Sequence, residues 1–227
     1  MRFRLVAALA ALGLAPAGGV AQVTSLDEGG FLVMRSGERV GREDFSIRSA
    51  PAASGRVLVA QGTIVVGSVR VKPVLNADTS GSILRFQIEV RVDGRVAESY
   101  SGQTTGDHYA ARTQREGGES AREFRLPPGT VAVDDQACHE LWFVVRRGAG
   151  AVVSVLAPRR NVVERVHVAL VGVERLLFDV REVDARHFTL TTEGTELVRD
   201  VWIDAQERIL KVAIPAQGLV ALREDVR

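Results

Sequence analysis

The chain has 227 residues, 29 Lys+Arg against 28 Asp+Glu, and one cysteine, Cys138. With the charges interspersed and no basic run longer than two residues, the clustered patch of a nucleic-acid-binding protein is absent. A single cysteine excludes an internal disulfide framework.

Residues 1–21 read as an address. Met1-Arg2-Phe3-Arg4 is basic, Leu5–Leu14 is an unbroken apolar run, and Gly19-Val20-Ala21 is a small-residue cleavage site before Gln22. That is the layout of a secretory signal peptide, and its apolar run is far short of the roughly 20 residues of a membrane-spanning helix. Removing it takes away Arg2 and Arg4 and turns the formal charge from +1 to −1. No later segment is apolar enough to span a membrane, and no cysteine stands at the cleavage site for lipid anchoring. The expectation is a periplasmic protein if the cell is Gram-negative, or a secreted one. Residues 22–227 are expected to form one all-β domain, with 127–135 as the stretch where a sub-boundary could fall.

From Gly29 onward the pattern is mostly period two. Gly30–Arg35 and Val40–Ser49 flank Ser36-Gly37-Glu38-Arg39. Arg56–Val66 and Ser68–Ala77 follow, with Gly62 and Gly67 read as bends or bulges. Ile83–Val92 is the clearest strand, its Leu84, Phe86, Ile88, Val90 and Val92 alternating with polar residues. Asp93-Gly94 is a tight-turn signal that returns the chain into Arg95–Ser101, although a strict two-residue loop sets Arg95 beside apolar Val92. His108–Arg115 and Glu119–Leu126 flank Glu116-Gly117-Gly118. Pro127-Pro128-Gly129 ends this first set.

Next comes the one break in the rhythm. In Gln136–Arg147 the residues Ala137, Cys138, Leu141, Trp142, Val144 and Val145 recur at steps of three and four. Asp134 or Asp135 is the expected N-cap, and Arg146-Arg147 and Gly148 the expected end. Beyond it Ala151–Ala157, Val162–Leu170, Glu174–Glu182, His187–Thr192, Leu197–Asp204, Ile209–Ile214 and Leu219–Glu224 read as strands.

Chemical signatures are sparse. Cys138-His139 pairs a thiol with an imidazole, but adjacent helical residues point apart, and Cys138 shares its side with Leu141, Trp142 and Val145, as an inert buried thiol does. None of His108, His139, His167 and His187 has a partner at metal-ligand spacing. There is no Gly-x-Ser-x-Gly turn and no phosphate loop. The acid pairs Glu43-Asp44, Asp134-Asp135 and Glu224-Asp225 read as solvated loops, edges or helix caps. Trp202 and Asp204 sit at a polar hairpin and are either a core anchor with its turn or the rim of a pocket. No catalytic, cofactor or metal residue is assigned.

Three stretches carry a resemblance: Gly30-Phe31…Gly37…Val40-Gly41, the Asp134–Arg147 segment, and Val201-Trp202-Ile203-Asp204…Arg208-Ile209-Leu210-Lys211-Val212. Together they resemble an uncharacterised family of exported bacterial all-β proteins, a domain of unknown function similar in turn to the curled sheets of LolA/LolB-like lipoprotein carriers. The resemblance implies a curved sheet around a helix and brings no catalytic residue with it.

The expected fold is therefore an all-β, curled antiparallel sheet or half-open barrel of about a dozen strands. One mid-chain helix, with Leu141 and Trp142 as its structural anchors, packs on the concave face. The expected function is a non-enzymatic envelope protein that binds a lipid or other hydrophobic ligand, or an envelope protein partner. The alternative is an extracytoplasmic enzyme of unrecognised type.

Overall fold

The computed structural model describes residues 22–53, 55–178 and 180–226; the expected leader, 1–21, lies outside them. Fifteen strands form one continuous sheet: β1 (Thr24–Arg35), β2 (Glu38–Ala52), β3 (Gly55–Val66), β4 (Val69–Ala77), β5 (Ile83–Val92), β6 (Arg95–Thr105), β7 (His108–Arg115), β8 (Gly118–Arg125), β9 (Val131–Ala132), β10 (Val152–Ala157), β11 (Val162–Phe178), β12 (Arg181–Thr192), β13 (Val198–Ile203), β14 (Ile209–Ile214) and β15 (Leu219–Arg223). Their spatial order is β8-β7-β6-β5-β4-β3-β2-β1-β15-β14-β13-β12-β11-β10-β9. Two antiparallel meanders are thus joined through β1 and β15, whose register pairs Val33 with Ala221. The only parallel pair among them is the two-residue β9–β10 ladder.

Alternation explains which face is buried. Paired residues share a face, and one register row runs Ile47, Ala60, Leu75, Phe86 across β2–β5, all four with no exposed surface. From the other meander Val166, Val168, Phe188, Leu190, Val201 and Val212 join the same core. The sheet curls far enough for the segment before β9 to meet the start of β5, where Ile83 N donates to Thr130 O at 2.9 Å. At the β5–β6 hairpin, Asp93 (φ 50°) and Gly94 (φ 79°) take the left-handed conformations of a two-residue turn. Val92 does pair with Arg95, and the register shift at Val90/Arg91 is taken up by Ala97 of β6; Val90 is buried, whereas Val92, on the same face at the strand end, is exposed.

Inside the curl, Cys138–Leu141 forms a 3₁₀ turn that runs into α1 (Trp142–Val145). Every residue from Cys138 to Val145 is buried, as expected of a helical segment enclosed on all sides. The helix is shorter than the expected 134–147 span. Asp134 does not cap it: its Oδ1 accepts Gln136 N at 3.0 Å, a local turn, while both its oxygens bind Arg159. The 174–182 stretch also differs from its sequence reading. It is the end of a long β11–β12 hairpin in which Phe178 pairs with Arg181. Its apolar alternation marks a ribbon that runs past its neighbours, rather than a separate buried strand.

Candidate functional site

The densest chemistry lies beneath the helical segment. Glu43, from β2, has no exposed surface. Its Oε2 accepts Cys138 N and its Oε1 accepts His139 N, both at 3.0 Å. Oε1 also lies 2.5 Å from His139 Nδ1. A carboxylate accepting the first N–H groups of a helical turn is an N-cap supplied from across the fold; the local N-cap residue, Ala137, makes no side-chain bond. The His139 ring stacks on Phe45 with centroids 5.4 Å apart. A Cβ at Gly62 would stand 2.7 Å from His139 Cε1, so the glycine in β3 is there for the imidazole rather than for a bend.

The neighbouring groups extend this cluster. Glu140 Oε2 accepts Asp134 N at 2.6 Å. Burial, with the Asp134 carboxylate beside it, pushes the Glu140 carboxyl well above the usual range. Burial, with Glu43 beside it, likewise pushes the Cys138 thiol well up, so it stays protonated and unreactive. Among the described residues, His139 Nε2 and Glu140 Oε1 are buried without a hydrogen-bond partner, and no group of three His, Cys, Asp or Glu side chains is placed to hold a metal ion. The openings over β4–β8, beside Pro127–Thr130, at the β8–β11 cleft and beside Arg199 are lined by none of Glu43, Cys138, His139 and Glu140. The space beside Leu141, Val144 and Arg199 is only about 10 Å³, room for one water at most.

As an adjacent acid pair, Glu43-Asp44 is expected in a solvated loop, at an edge or at a helix cap. The structure divides the pair: Asp44 is exposed and binds Arg42, while Glu43 points inward. The signal was present in β2, because Glu43 falls on the same period as Phe45 and Ile47.

A second constellation sits on the outer face. His187 of β12 lies between two carboxylates, Glu174 Oε1 at 2.7 Å from Nδ1 and Asp200 Oδ1 at 2.9 Å from Nε2. Thr189 Oγ1 donates to Asp200 at 2.9 Å. Trp202 stacks on His187 with centroids 4.2 Å apart, gives its Nε1–H to Glu174 at 2.8 Å, and carries the Lys211 ammonium over its other side. Those bonds, Trp202's first, hold the Glu174 carboxyl below its ordinary value. Both ring nitrogens of His187 are engaged, which leaves neither free for proton transfer to a substrate. Trp202 is buried with Ala185 and Leu210 in a small outer cluster. Asp204 is buried in the turn after β13, where its oxygens accept Gln206 N, Arg208 N and Arg208 Nε at 2.8–2.9 Å. Leu141 and Trp142 are buried in the central core.

The exposed apolar residues concentrate elsewhere. Past the last β10 pair, Val152 with His167, β11 continues with β12 as a ribbon. Its Val173 is 68% exposed, Leu177 66% and Val180 97%, and Leu170 and Val171 are also exposed.

No family model matches the chain, and no curated protein does. Among solved structures it is similar to the crystal structure of a β-barrel-like protein of a domain of unknown function, DUF1849, from Brucella abortus. The TM-score is 0.53 at 9% identity, with 90% of this chain and 97% of that chain covered. At that identity the likeness is one of fold: a β-barrel-like, uncharacterised all-β architecture.

Proposed function

We propose that this chain is an exported, non-enzymatic binding protein of the cell envelope that docks an apolar surface of a protein partner through its β11–β12 ribbon. The observation that carries the reading is the exposure of Val173, Leu177 and Val180 on that ribbon. These residues are interleaved with the exposed Arg175–Glu182 and Arg175–Asp184 ion pairs, a mixed apolar and charged surface of the kind that protein partners cover. Two further features support it. The inside of the curl is filled by Leu141–Val145 and the sheet's own side chains, which favours a protein partner over a lipid held in the manner of the LolA/LolB-like carriers. The acid–base groups around Glu43 and His139 are sealed from the openings on the surface, which favours a binder over an enzyme. The export and the envelope location rest on residues 1–21.

A photo-crosslinking residue at position 177, compared with one at Glu38 on the β1–β2 hairpin, tests this in the native compartment. A discrete polypeptide adduct from 177, absent from 38 and lost when Val173→Ser is added, is the expected result. Equal labelling from both positions, or none from 177, would overturn the reading.

A further inference from the structure

The edge of the sheet opposite the ribbon carries a different kind of opening. β7 and β8 are joined by a two-residue loop, with Arg115 paired to Gly118. The pair that closes such a loop exchanges both backbone hydrogen bonds, and the ladder alternates from there. Gly118, Ser120, Arg122 and Phe124 therefore turn their backbone groups toward β7. Glu119, Ala121, Glu123 and Arg125 turn theirs to the open side, where β8 ends the sheet order.

Beside this edge lies a cleft of about 480 Å³, bounded by Arg122–Arg125 on one side and Asn161 and Val163 on the other. Most charges near the edge are already taken. His108 Nδ1 lies 3.0 Å from Glu123, Arg125 is 3.3 Å from Asp107, and Arg112 is 3.0 Å from Glu119. Arg122 has no acceptor among the described residues. An unpaired ladder and an unanswered cation thus border one cleft.

We propose that the open edge of β8 takes an extended acidic segment of a protein partner as an added strand. The backbone N–H and C=O groups at 119, 121, 123 and 125 would continue the ladder, which is where strand addition gains its affinity. A carboxylate side chain of the segment would meet Arg122. The alternating charges on β8 keep a second copy of the same edge away, since they are the usual guard against edge-to-edge self-pairing. They therefore select by charge rather than close the edge altogether.

The test uses a capped eight-residue peptide of alternating Val and Glu, the same peptide with Lys for Glu, and a version of the first with alternate backbone nitrogens methylated. Binding is followed by backbone and Asn side-chain amide shifts of the whole protein. The Val/Glu peptide is expected to move amides of 118–125 and 161–163. The Lys peptide, the methylated peptide, and the variants Ala121→Pro and Arg122→Glu should each weaken binding at least tenfold. Ala121→Pro removes one outward N–H, and should it disturb folding, the methylated peptide asks the same question of unaltered protein. Absence of binding at millimolar peptide, affinity untouched by methylation, or shifts confined to 170–185 would overturn the proposal; the last outcome would place peptide binding on the ribbon instead.

Discussion

Glu43 and His139 are 96 positions apart in the chain, and the carboxylate of one receives both the backbone N–H and the ring Nδ1 of the other. Because Glu43 also receives Cys138 N, one side chain from β2 fixes the start of the helical segment that fills the curl. Opening a chain of β-strands into a half-barrel exposes its concave face, and this contact holds the plug there.

Removing that carboxylate leaves two N–H groups and an imidazole buried without their acceptor. Glu43→Ala should cost about 3–5 kcal/mol, the range for breaking a buried polar pair on one side only. Asp44→Ala, one residue away on the wet face, should stay within about 0.5 kcal/mol. Urea unfolding of the two variants checks the contrast, and equal losses would contradict the capping role.

Much of the fold was legible from alternation. Ile83–Val92 and its Asp93-Gly94 turn stand nearly where the period-two pattern put them. The bulge at Val90/Arg91 was not legible, because a bulge changes pairing without changing composition. Nor was the reach of the β11–β12 hairpin, since Leu176, Leu177 and Phe178 look like residues of the main core, yet only β12 runs beside them: Leu177 is exposed, and Leu176 and Phe178 are half-buried against the small Trp202 cluster. The cap on the helical segment escaped for a related reason. Local capping rules point to Asp134 or Asp135, which bind Arg159 and Arg160 instead, whereas the capping group is on another strand, and only the fold brings Glu43 to Cys138.

The plug itself is testable. Leu141 is 4% exposed, so Leu141→Ala should lose about 2–5 kcal/mol, the range for emptying a core leucine site. A lid over a pocket would tolerate the change with a loss below about 0.5 kcal/mol in denaturant unfolding, and that result would exclude the buried helix.

Glu140 sets a pH dependence. Its unfolded carboxyl titrates near 4.5 and its folded carboxyl well above that. The folded state therefore keeps a proton that the unfolded chain gives up as pH rises past about 4.5, and stability falls from there upward until the folded group also ionises. Glu140→Gln removes this proton linkage. The variant should gain on the wild type as pH rises from about 5, by at most about 1.4 kcal/mol per pH unit, the limit for one proton. Urea midpoints measured across that range test it; a gain that is constant with pH would show that Glu140 does not hold its proton on folding.

Cys138 is expected to be chemically silent. The folded protein should react with a thiol reagent only as fast as it opens globally, and Cys138→Ser should cost about 1–2 kcal/mol for burying a hydroxyl without weakening partner crosslinking from position 177. Rapid stoichiometric labelling of the native protein would contradict the sealed site.

The central claim is that the curl holds protein and the ribbon holds the partner. Native mass spectrometry of the protein recovered from its own compartment, alongside a Val173→Ser/Leu177→Ser variant, tests it most directly. A chain beginning at Gln22 with one additional polypeptide is expected, and loss of that polypeptide in the variant while the folded charge distribution is kept; a wild-type chain that carries no polypeptide would count against the ribbon. A lipid-sized mass retained equally by both proteins would contradict it.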